Sequence, residues 1–350
     1  MYSGNTPSRK NKEFFNGTIN WISSGELKEH YIYSTKERIS QGATNNLKLL
    51  SVGTFVIAIY GLEAEGVRGT GSITQEPSTI SQACMAFTPK GEIINEFLYS
   101  WYKKHGDVIG VKYAQGTKQQ NLSYDILEKF KISYPNVKEQ DKLNLFFSLI
   151  DKRISTQNKI IEDLKKLKSA ISERLFKDTK GDVITLSEIC DIVKGEQING
   201  ELLSEHGKYY VMNGGTDPSG YYDNYNVEAY TISISEGGNS CGYVQFNKCP
   251  FWCGGHCYSI QNIADNVYNL YLYHYLKTEE KVIMKLRIGS GLPNIQKKDL
   301  ATFKIKLPTS EQQKAISDIL SLLEQKAEIE EQMLIAIQAE KQYLLRQMFI

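Results

Sequence analysis

The 350-residue sequence has little of several features that announce a function. No window approaches eighteen uninterrupted apolar residues, so nothing reads as a membrane-spanning helix. The opening MYSGNTPSRKNKEFF holds no apolar core of signal-peptide length, and the chain reads as cytoplasmic. Charge of either sign is not in excess: 41 Lys and Arg stand against 40 Asp and Glu, a formal net of +1. Any electrostatic footprint must therefore be local. Histidine is scarce, with five residues at 30, 105, 206, 256 and 274, none paired with a nucleophile. No G-x-x-x-x-G-K-[ST], G-x-S-x-G or H-E-x-x-H is present. The six cysteines read as reduced thiols rather than a disulfide framework in a chain of this size and composition.

What is present is an ordinary globular composition, 41% hydrophobic and 23% charged, at a length that suggests two or three domains. The 22 tyrosines are many for this length. Residues 139–176 form a stretch without Gly or Pro. In it Leu143, Phe147, Ile150, Ile154, Ile161, Leu164, Ile171 and Leu175 recur mostly at three- and four-residue steps, on one stripe of a helix. Such a helix would be roughly 60 Å long at 1.5 Å per residue. A narrow apolar seam of that length needs a partner helix.

An internal repeat supplies the partner. GTKQQN at 116–121 runs into FKISYP at 130–135, and GSGLPN at 289–294 runs into FKIKLP at 303–308, an offset of 173. After a one-residue slip, Glu139 and Gln140 match Glu311 and Gln312. The same offset pairs Cys84 with Cys257. Further upstream, 20–25 resembles 210–215. The unit repeated is a globular domain followed by a long helix. It predicts an α+β fold with boundaries at 1–134, 135–179, 180–308 and 309–350. The terminal helix is expected from Ser310, with a seam of Ile316, Ile319, Leu323, Ile329, Met333, Ile337, Leu344 and Met348. Residues 134–179 hold ten basic and seven acidic side chains, whereas 309–350 hold four and seven, which fits two helices packing antiparallel as a coiled coil.

Within the globular parts, 49–60, 81–87, 183–193 and 230–235 read as strands, and 92–104 and 266–277 as helices. Only Met1, Tyr2 and Ser3 precede Gly4, where a whole strand precedes its counterpart Gly195, so the first domain is expected to lack its opening strand.

These motifs carry a resemblance. GNTPS at 4–8, NWISSGEL at 20–27, the paired loops 116–121 and 289–294, and the helix ending at Leu175 and Phe176 together resemble type I restriction–modification specificity subunits. The resemblance implies two target recognition domains, each reading one half of a split, asymmetric DNA site, with the helices as a spacer. It implies docking of two modification subunits, which use S-adenosylmethionine to methylate adenine, and of restriction subunits, which use ATP and Mg. The chain itself would hold no cofactor and no catalytic residue; no N-P-P-[YF] methyltransferase tetrapeptide is present.

Readout needs side chains that reach base edges, with Lys and Arg on phosphates. The candidates in the first domain are Lys112, Gln115, Lys118, Gln119 and Gln120 in one loop, Arg68 on a glycine-flanked tip, and the basic cluster of Arg9 and Lys10. Those in the second are Asn213 and Thr216 in a glycine-rich turn, with Lys285, Arg287 and Ser290 around the equivalent loop. Any one of them is equally at home on a solvated loop. Cys249, Cys253, His256 and Cys257 form the competing signal, since zinc takes four such ligands, but the spacing lacks a paired C-x-x-C knuckle and favours core thiols. A protein-binding scaffold and a zinc-dependent hydrolase are the other readings.

Overall fold

A computed structural model describes every residue except Glu65, Thr117, Gln119, Ser290, Leu292 and Ile350, and the side chain of Asn46. Gln119 and Ser290, two of the candidate contacts, lie outside the described residues. The chain divides into two compact units. One comprises Met1–Gln157 with Met333–Ile350, the other Asn158–Gln332. Among the described residues no helix is long and apolar enough to cross a membrane.

In the first unit the strands are β1 (Tyr2–Ser3), β2 (Ile19–Ile22), β3 (Tyr31–Ile32), β4 (Arg38–Ile39), β5 (Phe55–Ala58), β6 (Gly71–Thr74), β7 (Ser78–Ile80) and β8 (Cys84–Phe87). They make a five-stranded sheet, β1-β8-β5-β6-β3, and a three-stranded sheet, β4-β2-β7. Helix α1 (Asn95–Tyr113) packs on β5 and β6, and a short α2 (Tyr124–Leu127) follows. The reading of 49–60 as one strand is corrected. Gly53, at φ +80°, turns the chain, Leu49 and Val52 stay exposed, Leu50 is buried outside the strand, and the strand itself is the apolar run from Phe55. Likewise α1 runs well past Lys104, so Lys112 belongs to its last turn rather than to a loop.

The long helix α3 (Val137–Asp178) leads into the second unit. There β9 (Asp182–Thr185), the single turn α4 (Leu186–Ile189) and β10 (Asp191–Lys194) replace the one strand expected over 183–193. Thr185 and Glu188 form a capping box that starts α4 and so breaks the strand. Then follow β11 (Tyr209–Met212), β12 (Tyr221–Tyr222), β13 (Thr231–Ser235), β14 (Val244–Asn247), β15 (Trp252–Cys253) and β16 (Cys257–Gln261). Next come α5 (Asn269–Thr278), α6 (Glu280–Ile283), α7 (Lys297–Ala301), β17 (Lys304–Leu307) and α8 (Ser310–Met348). The sheets are β10-β16-β13-β14, β12-β11-β15 and β17-β9.

The duplication is visible strand by strand. β1 pairs antiparallel with β8 as β10 does with β16, and β5 lies between β8 and β6 as β13 lies between β16 and β14. β2 pairs antiparallel with β4 and parallel with β7, and β11 repeats this with β12 and β15. Tyr2–Ser3 thus does supply a strand, the counterpart of β10. What the first unit lacks, among the described residues, is a counterpart of β9 and α4.

Each unit contains a piece of both long helices. In the first, the Asp151 carboxylate accepts from Lys341 Nζ, and Phe147 and Phe97 pack against Phe349 with ring centroids 5.6 and 5.1 Å apart. In the second, Lys165 pairs with Glu331 at 2.6 Å and Lys168 with Glu324 at 3.0 Å. In both, the partner's number falls as that of α3 rises, so the helix pieces run antiparallel. Covered positions of α3 include Gln140, Leu143, Phe147, Ile150, Ile154, Gln157, Ile161, Leu164, Lys168, Ile171 and Leu175, spaced in an unbroken alternation of three and four. That is the heptad signature of a coiled coil.

The expected seam of α8 needs correction. Ile319, Ile329, Met333 and Met348 are exposed, and the covered positions at alternating steps of four and three are Ile316, Leu320, Leu323, Ala327, Glu330, Leu334, Ile337, Lys341 and Leu344. The heptad includes a small, an acidic and a basic residue. Following only the large apolar side chains therefore drifts off the seam.

Candidate nucleic-acid interface

In the first unit the loop after α1 closes on itself. Gln115 N donates to Asn121 O at 2.8 Å and Asn121 N to Gln115 O at 2.9 Å, with Gly116 at φ +111° making the bend. A second loop, 61–70, lies beside it: Leu62 N donates to Gln120 O, and Gln120 N to Glu63 Oε2 at 2.8 Å. That backbone hydrogen bond holds the Glu63 carboxyl below its ordinary pKa. Two glycines of α1 permit the approach. A Cβ on Gly106 would stand 3.0 Å from Gly69 Cα, and one on Gly110 would stand 2.5 Å from Arg68 Cγ. The Arg68 side chain lies across Gly110, its Nη2 donating to Gln120 Oε1 at 3.0 Å while its buried Nε has no hydrogen-bond partner among the described residues.

The structure thus brings Arg68, Lys112, Gln115, Lys118 and Gln120 together where α1 ends. Lys112 points its ammonium over the Tyr113 ring at 5.2 Å, and Gln115 and Lys118 are exposed. Arg9 belongs to another neighbourhood. Its guanidinium makes two 2.8 Å bonds to Glu37 and sits 4.7 Å over Phe15. The Glu37 hydrogen bond raises the Arg9 pKa and lowers that of Glu37. This arginine is occupied in fastening the loop to the sheet of β2. Lys10, next to it in the turn, is exposed.

In the second unit the same closure recurs. Ile288 N donates to Asn294 O at 2.8 Å and Asn294 N to Ile288 O at 3.0 Å. Gly238 N reaches Pro293 O at 2.9 Å, as Leu62 N reaches Gln120 O in the first unit. Lys285, in a 3-10 turn, and Arg287 are exposed on the approach to this loop. Asn213 is fixed from the inside: its Oδ1 accepts from His256 N at 3.1 Å, while Ser235 Oγ donates to Gly214 O at 2.7 Å. Thr216 is exposed, its hydroxyl donating to Asp217 at 2.9 Å.

The hub of this second cluster is a residue that sequence reasoning missed. Glu236 directly follows β13, its backbone oxygen accepting from Ile295 N at 2.8 Å. Its carboxylate accepts from Lys194 Nζ at 2.7 Å and from Tyr258 OH at 3.1 Å, and His256 Nδ1 stands 3.9 Å away. Burial, helped by the Glu236 charge, pushes the Tyr258 phenol well up, so it remains a donor. The strand registers align Glu236 with Ile59, His256 with Ala83 and Tyr258 with Met85. The loop scaffold is duplicated, and the side chains it presents are not. An acidic residue directly after the alternating strand TISIS was the available signal.

The zinc reading gains nothing here. Cys253 and Cys257 are buried and Cys249 is exposed, with the Cys253 thiol 3.6 Å from the Cys257 carbonyl oxygen. The neighbouring Cys257 and burial push the Cys253 thiol far up. Among the described residues no group of three or more His, Cys, Asp or Glu could hold a metal ion.

This geometry consists of two copies of a sheet, helix and closed loop, each followed by a long heptad helix, and it defines a duplicated recognition module. The match to known families agrees: the model of the type I restriction modification DNA specificity domain covers residues 2–166 and 179–339. The chain belongs to this family. A putative type I specificity subunit of Mycoplasma genitalium is 33% identical over 146 residues, 41% of this chain and 38% of that protein. The EcoR124I/EcoR124II specificity subunit of Escherichia coli is 27% identical over 167 residues, 47% of this chain and 40% of that protein. In these matches the chain spans well under half of each relative's length. The crystal structure of an M. genitalium type I S subunit shares the fold, with a TM-score of 0.66 at 21% identity over 100% of this chain and 93% of that one. A chain from a study of type I system assembly and conformational transition gives 0.64 at 16% identity over 94% of this chain and 90% of that one.

Proposed function

We propose that this chain is the specificity subunit of a type I restriction–modification complex and reads an asymmetric, two-part DNA sequence. The observation that carries the reading is the pair of loop closures, Gln115 with Asn121 and Ile288 with Asn294, which are built alike and present different side chains. Matching scaffolds suit two half-sites of one duplex, and unlike side chains suit two different base sequences. In the first half the readers are Arg68, Gln115, Lys118, Gln119 and Gln120, with Lys112 and Lys10 on phosphates. In the second they are Asn213, Thr216 and Ser290, with Lys285 and Arg287 on phosphates, and Glu236 and Lys194 join them. Arg9 supports the first domain through Glu37.

The chain supplies recognition and the partner subunits supply chemistry in the cytoplasm. Two modification subunits bring S-adenosylmethionine, and restriction subunits bring ATP and Mg. Their docking surface is the outer stripe of the long helices. Phe146 and Ile319, Leu149 and Leu322, and Ile160 and Met333 are pairs at the repeat offset of 173. All six are exposed large apolar side chains. A duplicated apolar stripe fits two copies of one partner.

The test is to map methylated adenines in DNA from cells that co-express this chain with its modification subunit. One two-part asymmetric motif is expected. Deleting one heptad from each long helix should change the spacer and leave both half-sites as they were. Methylation without a two-part motif would overturn the reading.

A further inference from the structure

We propose that the second unit carries a binding pocket for a planar organic cation, a guanidinium, walled by Tyr230, Phe246, Tyr268 and Tyr273 and faced by Glu324 and Glu328. The inference is independent of DNA reading.

The pocket encloses about 420 Å³ between the edge strand β14, the start of α5 and one face of α8. Its aromatic wall is continuous. The Phe246 ring centroid lies 5.2 Å from that of Tyr273 and 6.4 Å from that of Tyr230. On α8, the Glu324 carboxylate accepts from Tyr273 OH at 3.0 Å and pairs with Lys168 at 3.0 Å. Glu328, one turn further on, pairs with Lys248 at 2.9 Å. Aromatic faces flanked by carboxylates attract a cation. A guanidinium is flat, always charged and rich in N–H donors, so it can stack on a ring and donate to a carboxylate at once.

The duplication shows what such a place takes. Asn95 Nδ2 donates to Gly53 O at 2.6 Å, and Asn269 Nδ2 donates to Tyr230 O at 2.7 Å. Helices α1 and α5 therefore correspond at an offset of 174, and Tyr99 stands for Tyr273. The pair of Lys168 with Glu324 recurs 173 positions on as Lys341 with Asp151. The strand registers put Ile73 of β6 in the place of Phe246 of β14. In the first unit the chain itself fills this place. β3 lies beyond β6, and Ile73 N donates to His30 O at 2.8 Å. The flat His30 ring is sandwiched between Tyr31 and Tyr99, with centroids 4.0 and 3.9 Å away. Its Nε2 stands 2.8 Å from a Glu96 oxygen and its Nδ1 4.0 Å from an Asp151 oxygen. Among the described residues the second sheet ends at β14, so the corresponding place beside Tyr273 and Glu324 is open.

Tyr230 adds an independent argument. It stands where the first unit has Gly53 and keeps the left-handed backbone, at φ +60° against +80°. A bulky side chain in that conformation is strained, and such strain persists where the side chain serves a site. The ring is 66% exposed, so core packing does not account for it.

The test is calorimetric titration of the full chain with N-acetyl-arginine amide. Saturable binding is expected, about tenfold or more tighter than that of the matching citrulline amide, which has the same shape and no charge. Tyr230→Asn should weaken arginine binding by about tenfold or more and melt no earlier than the native chain, since asparagine tolerates the left-handed backbone. A second arm uses a short Gly/Ser peptide with one central arginine. Tighter binding of the peptide assigns the guanidinium to a protein partner, and equal binding assigns it to a free small molecule; both support the pocket. No saturable binding, equal binding of the citrulline amide, or unchanged affinity in Tyr230→Asn would overturn the proposal.

Discussion

Gln140 and Gln313, 173 positions apart, make the same three hydrogen bonds. Gln140 Oε1 accepts from Ile94 N at 3.0 Å, and its Nε2 donates to Glu92 O at 3.0 Å and Pro135 O at 2.8 Å. Gln313 Oε1 accepts from Tyr268 N at 2.8 Å, and its Nε2 donates to Asn266 O at 3.1 Å and Pro308 O at 3.0 Å. Both side chains are buried, at 0% and 1% exposure. Each fastens the first turn of a long helix to the approach of its domain helix. The equivalence also removes the one-residue slip inferred from sequence: the partner of Gln140 is Gln313, not Gln312.

Replacing either glutamine with leucine should destabilise its own unit by about 1–3 kcal/mol, because it strands a buried N–H and two carbonyls. Urea unfolding followed by hydrogen exchange would read this. Faster exchange is expected at Ile94 for Gln140→Leu and at Tyr268 for Gln313→Leu, each without effect on the other.

The corrected seam of α8 gives a sharp contrast between adjacent residues. Leu320 is fully buried and Ile319 is 45% exposed. Leu320→Ala should cost about 2–5 kcal/mol through lost burial and a cavity. Ile319→Ala should change stability by less than about 0.5 kcal/mol, and it should weaken capture of the modification subunit. Equal destabilisation by both changes would return the seam to the assignment drawn from large apolar residues alone.

Acid should destabilise the second unit through His274. Burial lowers this imidazole to about 4 from an ordinary 6.5, although the neighbouring Glu324 opposes the shift. Its Nε2 sits 3.0 Å from Ser321 Oγ. The unfolded chain therefore takes up the proton first. Stability is full above pH 6.5, falls as pH drops toward 4, and the loss attributable to this group reaches about 3 kcal/mol. Glu324 opposes burial with Lys168 and His274 beside it, and its carboxyl is lowered. Its contribution is lost at more acid pH, below the ordinary carboxylate range. A thermal melt series from pH 7 to 4.5 should be steeper for the native chain than for His274→Gln.

Half-site readout should be separable by mutation. Arg68→Ala should cost about 1–3 kcal/mol of discrimination at one base pair of the first half-site and leave the second unchanged. Glu236→Gln should do the reverse by releasing Lys194. Lys112→Ala should weaken binding to all sequences and lower the salt slope by about one. Competition binding against single-base variants of the mapped motif distinguishes these outcomes.

The parts legible in the sequence were those that local pattern and the repeat specify. The long helices follow from period and lack of breakers, and the pairing of 115–121 with 288–294 follows from the repeated Gly and Asn. What was not legible depended on tertiary contact. Arg9 reads as a phosphate clamp until Glu37, 28 residues on, is seen to hold it. Glu236 reads as the solvated end of a strand until Lys194 and Tyr258 converge on it from β10 and β16. Strand 183–193 breaks because a capping box between Thr185 and Glu188 outcompetes its β-branched residues.

Phe349 completes the core that begins with Phe55 and Phe97. During synthesis the first domain leaves the ribosome long before this residue exists. At about 5–20 residues per second, the roughly 190 residues between the end of its α3 portion and Phe349 take about 10–40 s. Through that interval the apolar faces of Phe97 and Phe147 are bare. The half of the protein made first is the last to finish folding, and it is the half that a chaperone would have to guard.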